Sequence, residues 1–377
     1  MFIAIYIIFV LINLYIWIKP QKYGDWVTFL SFVYLGVLAG KTDVVHNRDT
    51  GNYVNDYNLV AITGKSRFEW AYTLLVKGAN YLGLDYQSFR LILMLSLFIL
   101  LFIGVKTFTK SVSIFYVFFS IVFFVIEATQ VRDFGMIVFI VLGLALDRKI
   151  RSNNLLLKLL PVVFFVLASG FHTLGLVFLV IYIFSLINIK SKSFEKYWFF
   201  LITISSVLLS VTNSNYIGQA LGVILKTIGV NSLIVENVQE RFVSSGSLKG
   251  AALFSLTYLA MLALIRIVSN KKMLTYWSDD SFEKMLILVF VGAPMMVMSG
   301  QYFRIFKVGF VLLLIYFGMN TSFSSVAYQW TTVRFGRLKS LLIVAETLLA
   351  VVVFWGLYNP ANWIFVKTVP FVIQLNF

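Results

Sequence analysis

Apolar runs about as long as a bilayer is thick recur from one end of this chain to the other. They fall at roughly 1–18, 26–40, 88–107, 111–127, 129–147, 155–170, 172–189, 197–212, 251–269, 284–300, 303–320 and 340–358. Such runs bury themselves in lipid or inside a large soluble core. The second solution needs polar faces to clothe the core, and only 12% of these 377 residues are charged while 60% are hydrophobic; soluble domains carry about 25% charge. The sequence therefore predicts an all-α polytopic integral membrane protein of about twelve spans. It predicts one membrane domain over 1–377, with no repeat and no separable soluble part.

Charge placement orients the spans. Lys19 and Lys22 follow the first run, Lys106 and Lys110 the third, and Arg148, Lys149 and Arg151 the fifth. Lys190, Lys192 and Lys196 follow the seventh, Lys271 and Lys272 the ninth, and Arg334, Arg337 and Lys339 the eleventh. Basic residues at every alternate junction place those junctions in the cytoplasm and both termini outside. The net charge of +15 thus reads as topology and not as nucleic-acid binding. The first run lacks a basic leader and a small-residue cleavage site, so it is expected to stay as a span and not to leave as a signal peptide.

Two of the remaining junctions are long and form external flaps, about 41–87 and 213–250. In the first, "KTDVVHNRDTGNYVNDYN" reads as a polar loop. After it, Phe68, Ala71, Tyr72, Leu75, Ala79 and Leu82 share one face of an interfacial or re-entrant helix. In the second, Ile217, Ala220, Leu221, Ile224, Leu225 and Ile228 repeat at helical spacing. The tail 360–377 is apolar and is expected on the outer surface.

In this topology most polar residues of the spans collect at the outer end. Glu127, Gln130, Arg132 and Asp133 lie between spans four and five, His172 between six and seven, and Gln301 and Arg304 between ten and eleven. The first flap adds Asp43, His46, Arg48, Asp49 and Asp56. Each has a structural reading: Arg132 as partner of Asp133 or Glu127, Arg304 and Lys307 as headgroup anchors, His172 as a turn residue, the aspartates as a solvated loop. Taken together they describe an outward-facing site. Arginine holds phosphate oxygens bidentately at any working pH, so a pair of them fits a lipid-linked phosphate or diphosphate. A histidine beside arginines is disfavoured as the cation and so stays a base. Tyr53, Tyr57, Trp70, Tyr72 and Tyr81 offer faces for sugar rings. Other chemistries fit less well. Without cysteine there is no thiolate chemistry; two histidines are too few for a metalloprotease; no phosphate-binding glycine loop precedes a Lys-Ser or Lys-Thr pair.

At these residues the chain resembles the EpsG family of bacterial exopolysaccharide and capsule polymerases, a Wzy-like group. The stretches that carry the likeness are Asp49 and Tyr53 in "NRDTGNY", Glu69 in "FEWAYTLLVKGANYLGLDYQSF", Gln130 and Arg132 opening a span, Phe171 and His172 after a small-residue turn, and Tyr302 with Arg304. The likeness covers about residues 1–320. Arg48 stands where a glycine is more usual, and Asp133 where a neutral polar residue is common. The resemblance implies transfer of a growing glycan from undecaprenyl diphosphate to an incoming lipid-linked repeat unit. Arg132 and Arg304 would then hold the diphosphate, His172 would take the acceptor proton, and Asp49 would position sugar or act as the alternative base. Glu69 would orient the flap, and Gln130, Tyr53, Arg48, Gln301 and Tyr302 complete the expected substrate-binding set.

No cofactor or metal is expected, because arginine supplies the positive charge. The expected partners are the lipid-linked donor and acceptor, membrane lipids, a chain-length regulator and a flippase. The expected location is the bacterial cytoplasmic membrane with the site facing out. A different polyprenyl-linked glycosyltransferase or ligase is the nearest alternative. A flippase is another, but it would carry polar residues through the midplane and broken spans.

Overall fold

The computed structural model describes residues 2–42, 48–150, 159–187, 194–211, 246–268 and 280–320, with isolated positions at 157, 222–223, 226–227 and 235. Among the described residues all regular structure is helical. The chain divides into two compact units, Met1–Val180 with Leu314–Phe377, and Ile181–Leu313. Among the described residues four helices are long and apolar enough to cross a membrane: Tyr86–Phe108, Leu248–Arg266, Ser281–Met298 and Gly300–Asn320. Six shorter apolar helices accompany them. The protein is therefore a helical membrane protein, but the count of about twelve spans is not reproduced. The in-plane helix expected over 217–228 lies almost wholly outside the described residues, and the span at 340–358 and the tail 360–377 lie outside them altogether.

The first unit opens with α1 (Phe2–Ile18) and α2 (Gly24–Gly40). A polar clasp joins them: Asn13 donates to Ser31 Oγ (2.8 Å) and accepts from Thr28 Oγ1 (2.7 Å), all three buried. Side-chain hydrogen bonds of this kind are a common glue between apolar helices. Then follow α3 (Arg48–Thr63), α4 (Trp70–Tyr81) and α5 (Tyr86–Phe108). The segment read as a polar loop is thus helical from Arg48 onward. Thr50, Tyr53, Asp56, Tyr57 and Val60 are buried on one face of α3. That spacing is amphipathic, and the polar residues among them masked it.

Glycine ends both flap helices. Gly64 and Gly83 have φ of 68°, a left-handed conformation that costs a glycine little. At the second stop Leu84 N–H reaches Ala79 O and Gly83 N–H reaches Asn80 O, both at 3.0 Å, which closes α4 with a Schellman pair. Asp85 then caps α5 by accepting from Ser88 N–H (2.7 Å). On α4 the buried face is Ala71, Tyr72, Val76 and Ala79, whereas Leu75 and Leu82, expected on it, are exposed. The buried aspartate of α3, Asp56, folds the α3–α4 turn around itself. It accepts from Ser66 Oγ (2.7 Å) and Arg67 N–H (3.1 Å), and the Arg67 guanidinium lies 3.8 Å away.

The helix α5 lies tight against α2. A Cβ at Gly36 would come within 3.0 Å of Leu95 Cα, and one at Gly40 within 2.7 Å of Leu91 Cα. Glycines four apart let two helix backbones touch where lipid gives helices little hydrophobic reason to associate. At the other end of this pair Lys106 of α5 bonds to Asp25 of α2.

Spans four and five are broken differently from expectation. The structure has α6 (Val112–Val122), a bend at Phe123, the short α7 (Phe124–Thr129), a break at Gln130, and α8 (Val131–Lys149). Against α8 packs α9 (Leu160–Phe171), with Pro161 in its first turn, where a missing N–H is harmless. Gly135 of α8 leaves room for the Phe171 ring, which a Cβ would meet at 2.2 Å. That notch fixes where α9 ends and where His172 follows. The turn is short: only residues 172–174 separate α9 from α10 (Gly175–Leu186).

In the second unit lie the end of α10, α11 (Phe194–Val211), α12 (Leu248–Val268), α13 (Ser281–Leu288) and α14 (Gly292–Met298), with a 3-10 turn at Val289–Val291 between the last two. A second 3-10 turn, Gly300–Tyr302, leads into α15 (Phe303–Asn320). Buried Lys284 donates to Ser185 O (2.8 Å) and Ile187 O (3.2 Å), so an ammonium closes the negative end of α10.

Gly40→Ala is expected to lower stability by about 1–3 kcal/mol, because Leu91 presents backbone and cannot yield. Gly78, which has nothing within 4 Å, is the control: Gly78→Ala in the interior of α4 should be neutral or stabilising. Thermal unfolding of both variants in detergent measures the difference.

Candidate functional site

The start of α8, the flap and the α9–α10 turn meet in the first unit. Arg132, in the first turn of α8, is bonded through Nη1 to Glu69 Oε2, and its side chain is only 19% exposed. Its Cζ lies 3.9 Å from the Phe68 ring centroid and 5.8 Å from that of Tyr53. The guanidinium is therefore plated between aromatic faces and a carboxylate, a geometry in which cation–π attraction gains from partial desolvation. Its Nε is buried and has no hydrogen-bond partner. Phe68, Tyr53 and Tyr72 pack on one another with centroids 5.3–5.8 Å apart, so α3 and α4 offer Arg132 one aromatic wall.

Glu69 sits at the N-cap of α4 but does not cap it with its side chain. Its other oxygen, Oε1, accepts from Thr173 N–H (3.1 Å) and Thr173 Oγ1 (3.3 Å). Burial raises its carboxyl, but Arg132, His172 and the N–H donors outweigh that and hold it below the ordinary value. Burial also raises the Tyr53 phenol; Asp49 adds to this and Arg132 opposes it.

His172, 7% exposed, accepts at Nδ1 from Leu174 N–H (3.2 Å). A neutral ring bonded that way carries its proton on Nε2. That nitrogen lies 3.9 Å from Asp133 Oδ1, and Asp133 is buried in the first turn of α8. The imidazole thus holds the turn with one nitrogen and faces a carboxylate with the other.

The remaining expected residues are placed as follows. Asp49 is half-buried in the first turn of α3, one turn before Tyr53. Gln130 is buried at the break between α7 and α8. Arg48 opens α3; its side chain, with Asp43 and His46, lies outside the described residues. Gln301, Tyr302 and Arg304 belong to the second unit, where Gln301 N–H donates to Ser299 Oγ (3.2 Å) and Arg304 Cζ lies 5.9 Å from the Phe303 ring centroid. So the structure brings Arg132, Glu69, Tyr53, His172 and Asp133 together in one unit. Two members of the cluster were not expected from the sequence, Phe68 and Thr173. Both are direct chain neighbours of residues that were, Glu69 and His172. Among the described residues no three His, Asp or Glu side chains are grouped to hold a metal ion.

The Glu69 contact has a pH signature. Its folded value is depressed, so its stabilisation is present above the ordinary carboxyl value of 4.5 and is lost as pH falls through the lower folded value. The melting temperature of the wild type should therefore fall toward that of Glu69→Gln below pH 4.5, while the gap between them stays constant from there to neutrality. Thermal unfolding of the two proteins across that range checks this.

Comparison with curated proteins and with solved structures returned no match for the chain. The EpsG family profile matches residues 25–375, beyond the stretch that carries the motifs. Covering nearly the whole chain, that match shows that the protein belongs to the EpsG family.

Proposed function

We propose that this chain is a polysaccharide polymerase that joins undecaprenyl-diphosphate-linked repeat units at the outer face of the cytoplasmic membrane. Membership of the EpsG family supports the reaction class. The observation that carries the reading is Arg132, a largely buried guanidinium on an aromatic wall at the start of a helix, facing the flap. A fixed cation there stabilises the charge that grows on a departing diphosphate, an effect worth about 3–4 kcal/mol of barrier where single donors have been removed.

In the proposed reaction the acceptor hydroxyl oxygen forms a bond to the anomeric carbon of the donor glycan. The bond from that carbon to the lipid diphosphate breaks, and the diphosphate leaves as the anion beside Arg132. The hydroxyl proton goes to a carboxylate, and Asp49 is the assigned base. His172 is less suited, because its free lone pair is already engaged by Leu174 N–H. Its role here is to hold the turn and face Asp133. Tyr53 and Gln130 border the sugar. No metal takes part. Membrane lipids surround the protein, and a flippase supplies the outer-leaflet substrate.

The test is polymer length in a host lacking the gene. Arg132→Ala and Asp49→Asn should leave single repeat units, at least about a hundredfold less polymer, with protein levels maintained. His172→Asn should keep polymer, since asparagine also accepts in turns. Long chains from Arg132→Ala would sink the proposal; loss of polymer in His172→Asn would return the base to His172. Purified protein supplied with lipid-linked repeat alone, with and without EDTA, should polymerise in both cases, which a flippase would not.

A further inference from the structure

The Glu69 carboxylate occupies a nest of donors that belong to other elements. Arg132 Nη1 comes from α8, and the N–H and hydroxyl of Thr173 come from the α9–α10 turn. Both oxygens are engaged, and the Glu69 side chain is 12% exposed. One guanidinium, one main-chain N–H and one hydroxyl converging on two oxygens is also the donor set that a phosphate group takes up. The arrangement asks little of Glu69 locally. Its side chain does not cap α4, so withdrawing it leaves that helix end unchanged. Arg132 would meanwhile stay stacked on Phe68 at 3.9 Å.

We propose that this nest is the phosphate site of the enzyme, that Thr173 is one of its ligands, and that Glu69 is a placeholder displaced when the phosphate arrives. The proposal rests on the polymerase reading for the identity of the phosphate, the diphosphate of a polyprenyl-linked sugar. It adds a ligand and an exchange that the family motifs do not contain. Two features favour exchange. A diphosphate brings more negative charge to the same donors than a carboxylate does. And a diphosphate, longer than a carboxylate, carries oxygens enough to reach Arg132 Nε, buried without a partner on the side of the guanidinium away from Nη1, as well as the donors that Glu69 holds. The placeholder has a use between turnovers: it neutralises a largely buried guanidinium that would otherwise face the aromatic wall alone.

The experiment uses the full chain in lipid nanodiscs and radiolabelled inorganic diphosphate as the probe. Glu69→Gln keeps the shape and removes the competing charge, so it should bind diphosphate about tenfold more tightly than wild type. Thr173→Val should bind about tenfold more weakly, and Thr173→Ser should restore wild-type affinity. Size-exclusion profiles confirm that each variant is folded, and the Thr173 pair stands independently of Glu69→Gln. Equal or weaker binding by Glu69→Gln, with binding abolished in Arg132→Ala, overturns the exchange and leaves the polymerase reading intact. Unchanged binding by Thr173→Val removes that residue from the site. No diphosphate binding by wild type or any variant overturns the nest as a phosphate site. The expected shifts in a protein that makes no polymer from purified lipid-linked repeat would keep the site and sink the polymerase reading.

Discussion

A single buried cation, Arg90, ties the first unit together at the end where the site lies. It is 1% exposed and every acceptor it uses is neutral. Nε donates to Ala39 O (3.1 Å), Nη1 to Thr50 Oγ1 (2.8 Å) and Tyr86 OH (3.4 Å), and Nη2 to Ala128 O (2.6 Å). Burying a guanidinium costs several kcal/mol. The offset comes from what these carbonyls are. Ala39 and Ala128 lie in the last turns of α2 and α7, where helix carbonyls lack partners and the helix dipole is negative. Gln87, one turn before Arg90, donates to the next α2 carbonyl, Gly40 O, at 2.9 Å. The cation thus satisfies two helix ends at once, and it can do so only where α2 and α5 approach to backbone contact at Gly36 and Gly40.

The site follows from that constraint. Fixing Ala128 fixes the break at Gln130, and the next turn of chain carries Arg132 and Asp133. Fixing Thr50 fixes the start of α3, which brings Tyr53 to Arg132. The third wall is set separately, by the Phe171 ring in the Gly135 notch, which places Thr173 against Glu69 and His172 against Asp133. Close packing does the positioning, and the polar contacts read it out.

Much of this was legible in the sequence, and the reasons for the rest are physical. Apolar length revealed the helices, and the scarcity of charge drew out polar residues that the fold brings together. Arg132, Glu69, Tyr53 and His172 were all singled out and all meet in one unit. The helix α3 was read as a loop because its buried face uses Thr50, Asp56 and tyrosines in place of aliphatic residues. Arg90 belongs to no motif in "SFRLILML", although a lone arginine in an apolar run must meet an acceptor. Thr173 was hidden because a threonine beside a histidine has no spacing signal. Only the fold brings residue 173 to residue 69.

Buried Arg90 and part-exposed Arg132 show how one type of side chain serves two ends. Arg90 is surrounded by main-chain carbonyls and hydroxyls that belong to the fold and cannot leave without undoing it. Arg132 has a carboxylate on a side chain with three rotatable bonds, anchored at the edge of a flap, and an Nε that the fold leaves without an acceptor. Neutral, immobile acceptors make a permanent joint. A charged acceptor on a flexible stem makes an exchangeable one, because any better anion can take its place without disturbing a helix. Had Arg132 been closed by carbonyls as Arg90 is, the unit would be more rigid and the guanidinium could not exchange its partner for another anion.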